Sequence, residues 1–450
     1  MSLANFTPVF LALALTSGCH RTTAADSTQG GVTTPDAASV DASEPPPRCS
    51  VGRSADLASD IDVGQATLVS GAAVVGVLRT VSEKRVASVA RLPRNGTAVS
   101  FVDLAPVSGS VSPPSLFTRG DEVFAASAVR PAAAGGAPAR SEASWIVFRI
   151  GPEKAEALAV LPDTVDSELA AVSGLAPATG SPFGAVIAWD ESVKAPPRAT
   201  RGADAGEEPM SGAVRVAFLT PDMLAVARVE TVSPATSNAE RPEVIARDGG
   251  FWVAWIARQP EPTREPAAEL ERPGEDRAYK WVELVALDGQ GKAAGPVRRL
   301  TPLLGHVSGF EMMGGARSRV DVFVELDDER TLGAGGSIVH VVASLDSAPR
   351  TTPVVPEGRE RGTASCLGAG PPLPSLMLYV DSTDHVRAVD LDAEGQSKGP
   401  ASAEPSLDRT RLLVAGPPPS TPGGLDVLAW VPAAGGASAG LRWSSCDSRR

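Results

Sequence analysis

The sequence repeats a short pattern in which an apolar run ends in Leu or Ile and a turn follows. Two close copies, ALDGQGKAAGP at 286–296 and DLDAEGQSKGP at 390–400, share the frame L-D-x-x-G-x-x-x-G-P. Other apolar runs end in the same way, so the unit recurs at intervals of roughly 45–70 residues, which indicates a repeat architecture. The runs end at Leu92, Ile150, Leu219, Leu287, Leu345 and Leu391.

A second apolar run precedes most of these ends and is typical of a buried strand. The runs are rich in Val and Ala and too short for helices. A weaker segment before each run and another after the turn bring the unit to four strands. The seven second strands are AAVVGVL (72–78), EVFAASAV (122–129), GAVIAWDE (184–191), GFWVAWIA (250–257), RVDVFVEL (319–326), SLMLYVDS (375–382) and LDVLAWVP (425–432).

The repeat predicts an all-β fold, a single β-propeller with seven four-stranded blades. Blades of this length are somewhat longer than the common ones, and six or eight blades remain possible. The 40 Pro and 44 Gly residues suit many short strands joined by turns. A row of immunoglobulin-like sandwiches would need about 100 residues and seven strands per domain, which the spacing does not offer.

The last unit predicts how the ring closes. It contains LDVLAWVP and AGLRWSSCD (439–447) but no fourth strand after them. The segment RCSVG (48–52) could supply that strand. Cys446 stands where other units have their terminal Leu, so we expect a disulfide between Cys49 and Cys446. Three single pairings are open to Cys49, Cys366 and Cys446 in an exported chain, and the expected one leaves Cys366 as a small buried residue.

The N-terminus has the pattern expected of an export signal. The apolar run VFLALAL (9–15) is followed by TSGC ending at Cys19, which resembles a bacterial lipoprotein signal peptide and implies lipidation of Cys19. His20 follows where the inner-membrane retention signal of that family has Asp, which implies the outer membrane. An ordinary cleaved signal peptide, giving a periplasmic or secreted soluble protein, is the alternative.

This organisation predicts three regions: a signal peptide (1–18), a disordered tether (19–47) and the propeller domain (48–450). The tether is rich in Ser, Thr, Ala, Asp and Pro and has few large apolar groups with which to fold.

Composition and motifs exclude several functions. The net charge is −12 and no basic cluster occurs, so nucleic acid is not an expected partner. The G-x-S-x-G match at 436–440 has no His after it, as a nucleophile elbow requires. The calcium-loop-like run from Asp390 to Gly395 has Ala401 where an EF-hand loop ends in Glu. We therefore expect no catalytic residue, no metal and no cofactor.

Three long inserts join the second and third strands of successive units. They cover 131–143, 193–212 and 258–277, and in a propeller this connection always lies on one face, which favours a binding surface. Solubilising loops are the alternative. The charged candidate residues are Arg198, Arg201, Glu207, Glu208, Arg264, Glu265, Glu269, Glu271 and Arg272.

The leading functional hypothesis is a lipid-anchored binding or assembly scaffold of the cell envelope without catalytic activity. Its partner would be an unidentified envelope protein or glycan, and it would meet the membrane through its lipid anchor only. The alternative is a glycan hydrolase or lyase with its site at the funnel of the ring, which would need convergent carboxylates.

Overall fold

A computed structural model provides the structure of the protein. It describes residues 45–95, 98–104, 112–129, 142–161, 164–165, 170–174, 181–194, 210–260, 278–301, 306–314, 319–327, 336–360, 376–381, 383, 385–392, 394–416, 424–433 and 439–447. The described part contains strands and turns but no helix, and it contains no helix long and apolar enough to cross a membrane.

The strands form seven antiparallel blades. The closing strand is β1 (Cys49–Leu57), and blade 1 contains β2 (Asp62–Val69), β3 (Ala72–Val81), β4 (Lys84–Pro93) and β5 (Ser100–Asp103). Blade 2 contains β6 (Ser115–Arg119), β7 (Glu122–Val129), β8 (Glu142–Ile150), β9 (Ala155–Val160) and β10 (Thr164–Val165). Blade 3 contains β11 (Ala170–Gly174), β12 (Ala185–Lys194), β13 (Met210–Leu219) and β14 (Val226–Thr231).

The second half of the ring repeats this arrangement. Blade 4 contains β15 (Asn238–Arg247), β16 (Gly250–Pro260), β17 (Ala278–Asp288) and β18 (Arg298–Arg299), and blade 5 contains β19 (His306–Gly314), β20 (Arg319–Asp327), β21 (Gly336–Ser344) and β22 (Arg350–Glu360). Blade 6 contains β23 (Leu376–Val380), β24 (Val386–Asp390) and β25 (Ser402–Ala403). Blade 7 contains β26 (Arg411–Gly416), β27 (Gly424–Val431) and β28 (Ala439–Asp447), and β1 is its fourth strand. Blade 6 has three strands within the described residues.

The cores lie between neighbouring blades, because each blade packs one apolar face against the next. Among the residues that the structure describes there are seven hydrophobic clusters, one at each interface, so the ring is continuous and the prediction of seven blades is confirmed. Each cluster contains residues from both blades of its interface. One residue from each blade, in ring order from the interface between blades 1 and 2 to the interface between blades 7 and 1, is given by the pairs Val89 and Phe148, Trp145 and Trp189, Phe218 and Trp255, Trp252 and Val322, Phe323 and Tyr379, Leu378 and Leu425, and Trp443 and Leu92.

The closing strand is held as the sequence predicted. β1 pairs antiparallel with β28, with Cys49 opposite Cys446, and the two residues form a disulfide with a Cα–Cα distance of 4.0 Å. The fully buried carboxylate of Glu404 accepts the backbone N–H groups of Arg48 and Cys49 at 2.8–3.0 Å. The Arg48 guanidinium lies 2.5 Å from the Asp390 carboxylate. The ring is thus locked by a covalent bond and by buried charge.

The repeated frame of the sequence forms the turn after the third strand. Asp288 Oδ1 accepts the backbone N–H groups of Gln290 and Lys292 at 2.9 and 2.8 Å. The sister turn is built alike, since Asp392 Oδ1 accepts the corresponding N–H groups of Glu394 and Gln396. These aspartates stabilise the turns by hydrogen bonding their own backbone, so the glycine-containing frame is structural.

Candidate functional site

The seven blades differ in how their second and third strands are joined. We call the face that carries these connections the insert face. In blade 1 the connection is a tight turn at Ser82 and Glu83, both with positive φ. In blades 2, 3 and 4 the strands are separated by residues 130–141, 195–209 and 261–277. The inserts therefore belong to three neighbouring blades, and their position between second and third strands is confirmed.

The nine charged candidate residues of the inserts lie outside the described residues. The structure does show that the flanking strands reach further into the inserts than the sequence indicated. The pair β12 and β13 continues to Lys194 opposite Met210, and β16 and β17 continue to Pro260 opposite Ala278. Each insert of blades 3 and 4 therefore starts from a long, regular hairpin.

Polar contacts join blades 3, 4 and 5 below these inserts. The Asn238 side-chain oxygen accepts the Gly212 N–H at 2.6 Å and links blade 4 to blade 3. The Arg241 guanidinium donates to the Ser308 carbonyl at 3.2 Å and links blade 4 to blade 5. Lys280 pairs with Glu240 at 2.9 Å within blade 4. The bases of the inserts are therefore held in fixed relative positions.

Within the described ranges, bulges interrupt four of the inner strands near the insert face. They lie in β2, β15, β19 and β26. In β15 the bulge falls between Glu240 and Glu243, and the intervening Arg241 has a φ of 51°. Bulges re-aim side chains and are frequent next to functional sites. The inner rim of the insert face is thus irregular where the charged residues of blade 4 are placed.

Two carboxylic acids on this rim, Asp190 and Glu243, have raised pKa values. Burial raises the pKa of Asp190, and the nearby Glu240 carboxylate raises it further. Burial also raises the pKa of Glu243 to about 8, against the opposing effect of the Met312 N–H, which donates to Glu243 Oε2 at 2.7 Å. Glu243 as a residue is only half-buried, but its carboxyl group is enclosed by protein, and the carboxyl environment governs ionisation.

Replacing Glu243 by Gln should flatten the pH dependence of stability. The unfolded Glu ionises near 4.5, whereas the folded one keeps its proton until about pH 8. Between these values unfolding releases a proton, so the wild-type unfolding free energy falls as pH rises. We expect the unfolding free energy of the Gln variant to gain about 3–4 kcal/mol relative to that of wild type between pH 5 and pH 8, measured by urea unfolding.

The control for this experiment is Glu153→Gln, at an exposed carboxylate in blade 2. The difference in unfolding free energy between this variant and wild type should be the same at pH 5 and at pH 8. If the unfolding free energies of Glu243→Gln and of wild type changed in parallel with pH, the Glu243 carboxyl would be shown to ionise normally.

Sequence reasoning missed the rim carboxylates. Asp190 follows the apolar run AVIAW, and Glu243 lies in RPEVIARDG, a weak inner-strand segment. An acidic residue beside a Val- and Ile-rich segment was the available signal. The ring brings Asp190 of blade 3 close to the Glu240 carboxylate of blade 4, and it brings Glu243 of blade 4 against the Met312 N–H of blade 5.

Comparison with known proteins adds similarity of shape only. No protein-family model matches the chain, and none of the curated proteins is similar in sequence. An ulvan lyase from a new polysaccharide lyase family is 8% identical with a TM-score of 0.49, and the match covers 87% of this chain and 95% of that one. The β-propeller domain of the Trilobed protease from Pyrococcus furiosus is 7% identical with a TM-score of 0.45, covering 88% and 97%.

A third structure, an α-L-arabinofuranosidase from Fusarium graminearum, is 10% identical with a TM-score of 0.43, covering 88% and 98% of the two chains. At these identities and TM-scores the comparisons support no inference about function. The blades and the Cys49–Cys446 bond define the class: a disulfide-closed, seven-bladed β-propeller.

Proposed function

We propose that the protein is a binding or assembly scaffold of the bacterial cell envelope. The observation that carries this proposal is the pair of long hairpins on neighbouring blades 3 and 4, which the hydrogen bond from the Gly212 N–H to the Asn238 side chain links at their bases. A base that is already ordered lowers the entropy lost when a partner docks. The partner is an envelope protein or glycan that recognises the insert face.

Shortening the two inserts should remove binding without unfolding the ring. Residues 195–209 and 261–277 are each replaced by an Asn-Gly turn, which suits a two-residue hairpin. The hairpin register below them stays intact at Lys194–Met210 and Pro260–Ala278. We expect an unchanged melting temperature and loss of the partners cross-linked to the wild-type protein in intact cells.

A matched deletion provides the control. Residues 417–423 connect the first and second strands of blade 7, and such connections lie on the opposite face of the ring. Shortening this connection should leave the cross-linked partners in place. Retention of every partner by the double insert variant would refute the insert face as the binding surface.

The anchor of the scaffold is the lipid that the lipoprotein-like signal implies on Cys19. A Cys19→Ser variant should lose incorporation of radiolabelled palmitate and move from the membrane fraction to the soluble fraction. Unchanged fractionation would instead support attachment through a protein partner.

A second function, an envelope glycan hydrolase or lyase, is favoured by one observation: Asp190 and Glu243 have raised pKa values on the same rim. Groups of this kind serve as general acids. Release of new reducing ends or unsaturated sugars from purified envelope polysaccharides, lost in Asp190→Asn and in Glu243→Gln, would establish it. Absence of product from wild type would dismiss it.

A further inference from the structure

A cleft of about 530 Å³ lies between the closing strand of blade 7 and the outer part of blade 1. Its volume falls in the range of sites that bind small molecules or side chains, roughly 300–1,000 Å³. One wall is the second half of β1, and the other includes Arg79, Thr80 and Phe101. The cleft is therefore separate from the rim carboxylates of blades 3 and 4.

The closing strand presents its backbone edge to this cleft. Ser54, Ala55, Asp56 and Leu57 all line it, although they are consecutive in one strand. Successive side chains of a strand point to opposite faces, so four consecutive lining residues place the edge itself at the opening. Within the described residues β1 pairs with β28 alone and ends its sheet. Such an edge offers hydrogen bonds to an added strand.

The inner part of the cleft is apolar. Leu57 and Ile61 are buried at its base, and Val99 and Phe101 are half-buried beside them. The Arg79 guanidinium lies 4.7 Å from the centre of the Phe101 ring and covers one side of it. An aliphatic side chain on an added strand would find apolar contacts here.

The rim of the cleft is acidic. Arg79 is neutralised by Asp103 at 2.7 Å, and Arg85 forms an ion pair with Asp62. Asp56 and Asp60 are exposed at the rim. Hydrogen bonding from the Thr80 hydroxyl holds the pKa of Asp60 below its usual value, so Asp60 is ionised near neutral pH. The rim keeps negative charge that a basic side chain would complement.

We propose that this cleft binds an extended peptide segment of a partner protein. The segment adds as a strand to the edge of β1, places an aliphatic side chain over Leu57 and Phe101, and sets a Lys or Arg beside Asp56 and Asp60. This recognition combines main-chain hydrogen bonds, which supply affinity, with alternate side-chain pockets, which supply selectivity. It uses blades 7 and 1 and none of the long inserts of blades 2, 3 and 4.

Two synthetic hexapeptides, acetylated and amidated, test the proposal. One alternates Val with Lys, and the other alternates Val with Glu. Binding to the full chain is measured by fluorescence anisotropy, and the location by amide hydrogen exchange. We expect the Val-Lys peptide to bind about threefold to tenfold more tightly, as two exposed ion pairs allow, and to slow exchange at 54–57. Asp56→Asn with Asp60→Asn should abolish the preference.

Two controls separate the cleft from general charge attraction, since the whole chain has a net charge of −12. Glu153→Gln with Glu394→Gln removes the same charge at exposed sites in other blades and should preserve the preference. Ala58→Trp at the exposed wall of the cleft should block both peptides while the melting temperature is retained.

Three results would each overturn the proposal. The first is no binding of either peptide up to about 1 mM. The second is binding of the Val-Lys peptide without protection of 54–57. The third is protection of these amides by a neutral oligosaccharide but not by the Val-Lys peptide, which would assign the cleft to a glycan.

Discussion

We expect the Cys49→Ser/Cys446→Ser variant to lose about 3–5 kcal/mol of unfolding free energy, measured by urea unfolding under oxidising conditions. The two cysteines are separated by 397 residues. Closing so long a loop restricts the unfolded chain strongly in the chain-entropy account of disulfides. In the folded state, Glu404 still accepts the N–H groups of residues 48 and 49, so the variant should retain its native fold at moderate temperature.

A reductant provides the matched control for the disulfide. Dithiothreitol should lower the stability of the wild-type protein to that of the double variant and leave the variant unchanged. Equal stability of oxidised wild type and variant would show that the bond does not constrain the unfolded chain.

The Gly395→Ala variant should lose about 3 kcal/mol or more of unfolding free energy, because two unfavourable effects combine at this turn. Gly395 has a φ of 78°, and an alanine in this left-handed region costs about 1–2 kcal/mol. A Cβ there would also lie 2.0 Å from His340 Nδ1. His340 is fully buried and its Nε2 lies 2.8 Å from Asp321 Oδ1, so the ring has little freedom to move. Urea unfolding measures the loss.

Two other glycines separate the conformational effect from the collision. Gly71 has a φ of 72° and no atom within 4 Å of the added Cβ, so Gly71→Ala should cost only about 1–2 kcal/mol. Gly399 also has open space at this position, and Gly399→Ala should change stability by less than about 0.5 kcal/mol. Equal losses at Gly71 and Gly395 would show that the His340 ring yields to the added methyl group.

The propeller fold could be predicted from the sequence because each buried strand is recognisable from its own run of apolar residues. A run such as GFWVAWIA at 250–257 is apolar throughout, since both faces of a blade are covered by neighbouring blades. The position of Cys446 in place of a terminal Leu predicted its pairing with Cys49, which the structure confirms. Local pattern and repeat spacing were sufficient for both results.

The rim and the cleft depend on relations that the repeat pattern does not contain. The bulge between Glu240 and Glu243 arises from the pairing of β15 with β16. The enclosure of the Glu243 carboxyl requires the Met312 N–H from the next blade. The cleft forms between β1 and blade 1 only after the ring has closed. These features follow from three-dimensional neighbours, which a single sequence does not identify.

The pairing of β1 with β28 also determines when the ring can be completed. During synthesis, β1 is the first of the described strands to appear and β28 is the last. Until β28 has been made, Cys49 lacks its native partner thiol. Oxidation of Cys49 with Cys446 can follow only when all the intervening blades have been synthesised. One covalent bond therefore distinguishes a finished ring from every truncated chain, in which the edge of β1 that pairs with β28 stays open.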